Sequence, residues 1–285
     1  MAYRALFLII ILWPSLAAAG IFEDYAGIRS AAMGGALRAI GSSNEAIYLN
    51  PATMAVFKRF GVDLELAYEK PQNLRRMRAS AVDSKTSQVA VGIGYEVINE
   101  APGLPTLKRT SIGVAHPLGE HVFFGSTAHY ISGTRIGGMG EESFETFNTD
   151  IGIALNLSDA LQLGMSWYNV VETKERALSP ESMAFGIAAG NEIFITAFDV
   201  RLEDDESGNS QATYYAGAEF LLAGAIPIRA GYTRKPPEAA GEKATNLVSG
   251  GLAYLTKTGA LSLTLERSFS ESSPWSLATA IKFFM

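Results

Sequence analysis

Residues able to carry out catalysis are sparse in this chain of 285 residues, which contains three histidines and no cysteine. The histidines are His116, His121 and His129. His129 follows Ser126 by three positions, and in a strand this spacing turns the two side chains to opposite faces, so they cannot pair as nucleophile and base. The sequence contains no Gly-x-Ser-x-Gly elbow, and its histidines lack a metal-ligand spacing. The run Met33-Gly34-Gly35-Ala36 lacks the Gly-x-Gly-x-x-Gly form of a nucleotide loop. We therefore expect no catalytic residue, no bound metal and no cofactor.

Charged side chains recur at alternate positions of segments that alternate polar and apolar residues. Asp63 and Glu65 lie in one such segment, Arg76 and Arg78 in the next, and Lys282 in the last. If the segments are strands, these five side chains share the polar face. We call these five residues the predicted charged belt. If the strands close into a barrel, the belt either holds a segment inside the barrel by ion pairs or acts directly in permeation through the barrel.

The elements that must position this belt are β-strands. In the first, Phe60, Val62, Leu64, Leu66 and Tyr68 alternate with small or acidic residues, which gives one apolar and one polar face. About fourteen such segments follow one another, separated by breaks rich in Gly, Pro, Asn or Ser. Segments of about ten residues with this alternation are typical of transmembrane β-barrels. The predicted fold class is all-β, an antiparallel up-and-down barrel of about fourteen strands. The predicted strands are 60–70, 74–83, 87–98, 108–116, 121–131, 145–156, 161–171, 182–189, 192–203, 212–221, 227–234, 246–256, 261–268 and 275–285.

The connections between these segments alternate in length. From 84–86 onwards, short connections alternate strictly with longer ones such as 132–144; only 71–73 is short where a long one is due. Periplasmic turns and longer extracellular loops give an outer-membrane barrel this rhythm. When the barrel closes, the first and last segments should meet. Both carry aromatic residues eight positions apart, Phe60 and Tyr68 in one and Trp275 and Phe283 in the other. Eight tilted steps span roughly 20 Å, the separation expected of two aromatic girdles.

The N-terminus indicates export. Arg4 precedes an apolar stretch from Ala5 to Leu12, and the small residues Ala17, Ala18 and Ala19 follow. We interpret residues 1–19 as a signal peptide cleaved near Ala19/Gly20, since the stretch is shorter than the roughly 20 residues of a membrane anchor. The expected location is the outer membrane. A formal net charge of -6 argues against nucleic acid as a partner.

Residues 20–58, the N-terminal segment, follow a different pattern from the barrel at 59–285. They are rich in small residues, and 29–40 could form a short helix. Asn50-Pro51-Ala52 has the features of a helix start, with Asn50 as N-cap and Pro51 at the first helical position. A barrel larger than about eight strands leaves an open lumen, which a segment rich in Gly and Ala could fill.

The residues from Gly27 to Ala36, continuing through Ala46 to Ala52, resemble the hatch of FadL-type and PorV/PorQ-type outer-membrane proteins. The resemblance covers only about thirty residues. It implies that the N-terminal segment sits inside the barrel and that a ligand path passes Gly34, Gly35, Asn50, Pro51 and Ala52. This chain departs from typical members in its short loops and in ending on Met285 after Phe284.

Gly92 and Gly94 share the polar face of the third segment. Glycine weakens a strand ladder and permits bulges, so the pair could mark a kink or lateral opening. The alternative is a close fit against the N-terminal segment.

The resemblance implies one of two non-enzymatic roles. The first is a channel for passive uptake of small hydrophobic molecules, of the long-chain fatty acid or aromatic hydrocarbon type. The second is a PorV-like platform whose partner is a secretion-system protein. In both, the outer face of the barrel contacts outer-membrane lipid.

Overall fold

The computed structural model describes residues 25–41, 44–71, 73–99, 106–137, 140–171, 179–204, 209–237, 243–269 and 274–285. The signal-peptide prediction for 1–19 and its expected cleavage near Ala19/Gly20 lie outside these residues, as do 20–24 of the N-terminal segment. Fourteen antiparallel strands form a closed barrel, which confirms the predicted fold class. The strands are β1 Phe60–Lys70, β2 Leu74–Asp83, β3 Ala90–Asn99, β4 Thr106–Pro117, β5 Val122–Gly137, β6 Gly140–Ser158, β7 Leu161–Tyr168, β8 Ser182–Gly190, β9 Phe194–Asp204, β10 Ser210–Leu222, β11 Ile226–Lys235, β12 Thr245–Leu255, β13 Gly259–Ser268 and β14 Trp275–Phe284.

The barrel closes where β1 pairs with β14 along its length, with Leu64 opposite Ile281. The aromatic residues of these two strands meet at one end, where the rings of Tyr68 and Trp275 make an edge contact with centroids 5.9 Å apart. At the other end Phe283 lies opposite Val62. We call the end that carries the chain terminus Met285 the turn rim, and the end with the longer connections the loop rim.

The period of two in the sequence corresponds to two physically different faces. On β1 the side chains of Leu64 and Leu66 are exposed, whereas Asp63 and Glu65 are buried in the lumen. The outer face thus presents exposed apolar side chains, and the inner face retains the polar ones.

Several strand ends differ from the prediction, among them those of the β5–β6 hairpin and the end of β7. The predicted loop 132–144 is largely paired, because β5 and β6 continue as one long hairpin up to Gly137 opposite Gly140. β7 ends at Tyr168 instead of residue 171, because Asn169 adopts a positive φ of 55° and its N–H donates to the Asp150 carboxylate and not to the ladder.

Inside the barrel lies the described part of the N-terminal segment. It contains helix α1 (Ile28–Ala32), helix α2 (Ala46–Leu49) and the 3-10 helix Pro51–Ala55. The helix expected over 29–40 is wrong in length, because Gly34 and Gly35 take φ values of 61° and 84° and end the helical path. Among the residues the structure describes, no helix is long and apolar enough to cross a membrane.

Glycines on the inner face make room for the N-terminal segment. A Cβ on Gly217 would lie 2.4 Å from the Met33 carbonyl oxygen, and one on Gly164 would lie 2.2 Å from that of Arg38. Further round the wall, a Cβ on Gly125 would lie 2.5 Å from the Ala52 nitrogen. The segment therefore approaches the wall so closely at these points that a methyl group would not fit.

Candidate functional site

The centre of the charged belt is Glu96, a fully buried residue on β3. Its carboxylate lies 2.8 Å from Arg76, 2.8 Å from Arg78 and 2.6 Å from Arg109. The register places Arg78 and Arg109 directly opposite Glu96 on the neighbouring strands. The sequence prediction included Arg76 and Arg78 in the belt but omitted Glu96 and Arg109, although alternation alone puts both on the polar face.

Arg78 joins this ionic cluster to the N-terminal segment. Its guanidinium donates to the carbonyl oxygens of Ala26 at 2.6 Å and Tyr25 at 2.8 Å. Glu65 lies 3.7 Å from Arg78 and accepts a 3.3 Å hydrogen bond from the Tyr25 hydroxyl. These contacts favour a structural role for this part of the belt, since its charges hold the inner segment.

The remaining predicted pair, Asp63 and Lys282, also meets in the lumen. The Lys282 ammonium lies 2.8 Å from Asp63 and 4.0 Å from Glu45 of the N-terminal segment. Glu45 accepts the backbone N–H groups of Arg29 at 2.6 Å and Ser30 at 3.1 Å. The Glu45 carboxylate thus accepts hydrogen bonds from backbone N–H groups at the start of α1, which have no partner within the helix. Lys282 of the wall lies beside this carboxylate.

Further ion pairs tie the segment to the opposite wall, and the sequence prediction missed them. Arg29 lies 2.7 Å from Glu219, which is also 2.5 Å from Arg229. Arg38 lies 3.1 Å from Asp199. Arg29 and Arg38 sit in a segment without period-two alternation, so the sequence pattern carried no signal for their direction.

Gly34 and Gly35 form a turn against β10 to β12. The Gly34 N–H donates to Ser249 at 3.1 Å, and its carbonyl accepts from Thr233 at 2.8 Å. A Cβ on Gly35 would lie 2.5 Å from the Tyr215 ring. Both positions therefore require glycine for two reasons: the backbone has a positive φ, and the wall is too close for a Cβ.

Asn50, Pro51 and Ala52 meet the wall on the other side. Asn50 caps the 3-10 helix by accepting the Ala52 N–H at 3.2 Å, as the sequence predicts, with Pro51 at the first position. The same amide donates to the carbonyl oxygens of Arg38 at 2.8 Å and Ile153 at 3.0 Å. Asn50 thus joins two parts of the segment to β6, and the closeness of Gly125 leaves no gap at this point.

Gly92 and Gly94 lie in an unbroken part of the wall. β3 pairs with β2 and β4 without a register shift at either glycine. A Cβ on Gly92 would lie 2.8 Å from Ile47, and one on Gly94 would lie 2.0 Å from the Tyr48 hydroxyl. This geometry contradicts the kink in this strand and favours the alternative, a close fit against the N-terminal segment.

Three adjacent strands contribute a buried hydrogen-bonded chain that the sequence reasoning overlooked. Ser111 Oγ lies 2.8 Å from His129 Nδ1, and His129 Nε2 lies 2.9 Å from Asp150. Ser111 is fully buried, at 0% exposure. Spacing along the sequence relates His129 to Ser126 and carries no signal for Ser111, which lies on another strand. A nucleophile must reach its substrate, and Ser111 is buried. The hydrogen bonds among Ser111, His129 and Asp150 therefore favour a structural role, in which they join three strands.

The ring of Tyr48 lies against His129, the middle residue of this hydrogen-bonded trio. It stacks on His129, with centroids 6.3 Å apart, and the guanidinium carbons of Arg78 and Arg109 lie 4.2 Å and 4.6 Å from its centroid. Burial raises the pKa of the Tyr48 hydroxyl, although the two arginines act in the opposite direction. Tyr48 is therefore a neutral aromatic surface between the belt and the cavity described next.

A small cavity lies between the N-terminal segment and the half of the wall nearest the loop rim. Arg38, Tyr48 and Leu49 line it from the segment. From the wall it is lined by Arg109, His129, Ile131, Asn148, Asp150, Tyr168 and Arg201. It has room for about one water molecule. We call it the upper cavity.

Apolar side chains cluster on the loop-rim side of the belt. This apolar cluster consists of the buried residues Leu74, Ile98, Leu107 and Ile131, with Phe144 packed against them. Ile131 belongs both to the cluster and to the lining of the upper cavity. Apolar and hydrogen-bonding surfaces therefore adjoin at this residue.

The turn rim opens into a larger space of about 320 Å³, which we call the lower cavity. Its lining includes Arg29, Arg59 and Lys282, and also Glu219 and Leu221. The N-terminal segment separates the two cavities.

No protein-family model and no curated protein matches the chain. Solved structures do resemble it. The CymD monoaromatic hydrocarbon channel superimposes with a TM-score of 0.72 at 15% identity, over 90% of this chain and 96% of that one. The toluene transporter TbuX of Ralstonia pickettii gives a TM-score of 0.68 at 13% identity, over 90% and 97% of the two chains. A FadL homologue of Pseudomonas aeruginosa also gives 0.68, at 9% identity and with coverage of 90% and 97%. At these identities the likeness establishes a shared fold.

Proposed function

We propose that this chain, which has the fold of FadL-type channels, is an outer-membrane channel for passive uptake of small hydrophobic molecules. The ligands belong to the aromatic hydrocarbon or long-chain fatty acid type, and the N-terminal segment 20–58 is the hatch. The proposal includes export with a cleaved signal peptide at 1–19. The proteins with the same fold are named as channels for toluene and monoaromatic hydrocarbons. These names do not favour the alternative, a PorV-like platform in secretion or surface attachment.

The observation that carries the proposal is the separation of two cavities by one inner segment. The upper cavity has room for about one water molecule, whereas the lower cavity holds about 320 Å³. A hydrophobic molecule that crosses the barrel must pass the N-terminal segment, because the segment contacts the wall on both sides. Passage therefore requires movement of this segment, as a hatch would supply.

The contacts of the segment suggest which part moves. On one side, Arg78, Glu65 and Lys282 hold its beginning through buried charges. On the other, the carbonyl oxygen of Leu49 accepts hydrogen bonds from Ser166, at 2.7 Å, and from Tyr168. Neutral hydrogen bonds contribute about 0.5–1.5 kcal/mol each, whereas breaking a buried ion pair costs about 3–5 kcal/mol. Residues 46–55 are thus the part that moves at lower cost.

The wall near residues 46–55 includes the short strand β7, which pairs with only part of β6. β6 extends from Gly140 to Ser158, but its ladder with β7 begins only at Ile151 opposite Trp167. Beyond that point the Val170 N–H still donates to Thr149. A ligand released by movement of 46–55 would therefore meet the section of wall with the shortest neighbouring strand.

A disulfide that locks the segment tests the need for its movement. A Cβ on Gly125 would lie 2.5 Å from the Ala52 backbone nitrogen, so Ala52→Cys with Gly125→Cys places two thiols where the moving part of the segment meets the wall, in a chain without native cysteine. We expect the oxidised variant to lose uptake of toluene into vesicles and the reduced variant to regain it. Each single-cysteine variant, treated with the same oxidant, is the control. Full uptake by the oxidised double variant would overturn the hatch mechanism.

Cell experiments test the function itself. A strain without this chain should take up toluene and oleate more slowly, and the intact gene should restore uptake. The set of secreted proteins should stay the same. Normal uptake with an altered set of secreted proteins would overturn the channel in favour of the platform.

A further inference from the structure

We propose that Asn148 binds the hydroxyl group of a small hydroxylated aromatic or alkyl ligand in the upper cavity. The inference rests on the proposed channel function and specifies a ligand class for it. The site would make the barrel selective for molecules with an apolar body and one hydroxyl, such as alkylphenols.

The first observation is a buried amide without hydrogen bonds. Asn148 is 1% exposed, points inward from β6 and lines the upper cavity. Within the described part of the chain, neither its Oδ1 nor its Nδ2 has a hydrogen-bond partner. A buried polar group without a partner costs about 1–3 kcal/mol, so an amide with two such atoms needs an explanation.

Two neighbours of Asn148 already have hydrogen-bond partners. His129, directly opposite on β5, bonds both Ser111 and Asp150. Asp150 also accepts the Asn169 N–H at 2.9 Å. The hydroxyl of Tyr48, which lines the same cavity, has no hydrogen-bond partner among the described residues either. The upper cavity is therefore faced by two unpaired polar groups, the amide of Asn148 and the hydroxyl of Tyr48.

The chemistry of the site favours a neutral group that both donates and accepts. Asn148 offers one acceptor and two donor hydrogens, and a hydroxyl matches an amide in both respects. The arginines that line the cavity already have carboxylate partners: Arg38 has Asp199, Arg109 has Glu96 and Arg201 has Glu203. A carboxylate ligand would find these charges occupied and would also approach Asp150. The electrostatics thus disfavour an anionic head group.

The surroundings supply a place for the apolar body of the ligand. Ile131 lines the upper cavity and packs with the apolar cluster of Leu74, Ile98 and Leu107. The cavity itself has room for about one water-sized group, which is the size of a hydroxyl. The ring or chain would then displace side chains of the apolar cluster while its hydroxyl stays at Asn148.

The experiment compares two ligands of similar size. The purified barrel in phospholipid vesicles is tested for binding and uptake of 4-ethylphenol and of 4-ethyltoluene, which has a methyl group in place of the hydroxyl. Asn148→Leu keeps a similar volume and removes both unpaired atoms. The matched control is Thr127→Val, because Thr127 Oγ1 is buried and unpaired on the adjacent strand β5 but does not line the cavity.

We expect Asn148→Leu to weaken binding of 4-ethylphenol about tenfold, the effect of one to two lost hydrogen bonds, and to leave 4-ethyltoluene unchanged. Thr127→Val should alter neither ligand. Equal effects of Asn148→Leu on both ligands, or none on 4-ethylphenol, would overturn the site, since Asn148 would then hold at most a water molecule. If the unaltered barrel passes neither compound nor toluene, the channel function fails; if it passes them without discrimination, only the hydroxyl site fails. Folding of each variant is verified by its heat-dependent shift on a gel.

Discussion

Replacing Glu96 with glutamine should destabilise the barrel more than any other single carboxylate change in the belt. Glu96 is fully buried and lies within 2.8 Å of Arg76 and Arg78 and 2.6 Å from Arg109. Glutamine has the same shape, so packing is preserved and only the charge is lost. Of the three buried guanidinium groups, Arg76 then keeps a carboxylate contact at 3.6 Å to Glu69 and Arg78 keeps one at 3.7 Å to Glu65.

The expected magnitude follows from these contacts. Removing one partner of a buried ion pair costs about 3–5 kcal/mol, because the other charge remains in a medium that solvates it poorly. Glu96 serves three arginines, but Glu65 and Glu69 lie close enough to compensate in part. We therefore expect Glu96→Gln to lower the free energy of unfolding by about 3–5 kcal/mol and not by three times that amount.

Urea titration of the barrel in phospholipid vesicles, monitored by gel shift, measures this change. Glu120→Gln is the control, because Glu120 is exposed in the turn between β4 and β5 and its replacement should leave the unfolding midpoint unchanged. The double variant Glu96→Gln with Arg109→Gln removes one charge of each sign. It should be more stable than Glu96→Gln alone. A Glu96→Gln midpoint equal to that of Glu120→Gln, or a double variant equal to the sum of its two single changes, would refute the reasoning.

Three further predictions concern the N-terminal segment and the outer face of the wall. Asn50→Ala removes three hydrogen bonds of 2.8 to 3.2 Å and should lower the free energy of unfolding by about 1–3 kcal/mol. Faster proteolysis of the N-terminal segment is the readout, and Asn209→Ala, at the loop rim, is the control. Gly231→Val would place a Cβ 2.0 Å from the Gly34 nitrogen, so it should displace the segment and raise ion conductance across a planar bilayer while the gel shift of a folded barrel persists. An unchanged conductance would contradict the tight fit. Leu263→Arg puts a charge at a 52% exposed position on the outer face, in the middle of β13. If this face lies in the membrane, the change should cost about 2–4 kcal/mol in urea titration, whereas Leu263→Ala should cost less.

The strand pattern could be predicted because it depends on one local rule. In a barrel each wall residue faces either lipid or lumen, so alternation in the sequence identifies strands such as β1 and β14 and the side of each residue. The hairpin extension of β5 and β6 beyond residue 131 was missed, since its residues rise towards the rim, where neither face needs to be apolar. The early end of β7 was missed because it depends on the bond between the Asn169 N–H and Asp150, which lies on another strand.

The belt was predictable only in part for a related reason. Asp63 opposite Lys282 and Glu65 opposite Arg78 follow from alternation together with the adjacency of the first, second and last strands. The convergence of three arginines on Glu96 requires the register between β2, β3 and β4, which a period of two does not specify. Arg38 and Glu45 have no such pattern, because their segment is not a strand.

The sequence by itself determined the approximate number of strands, the faces of side chains in the regularly alternating strands and the chain length available to fill the lumen, because these depend on short-range alternation and on composition. Only the tertiary structure decided which inward groups meet. It joined Ser111, His129 and Asp150 across three strands, set Gly92 and Gly94 against the inner segment, and left Asn148 unpaired beside a cavity. The physical reason is that register, barrel closure and the path of the inner segment are global properties, fixed by the summed contacts of residues far apart in the chain.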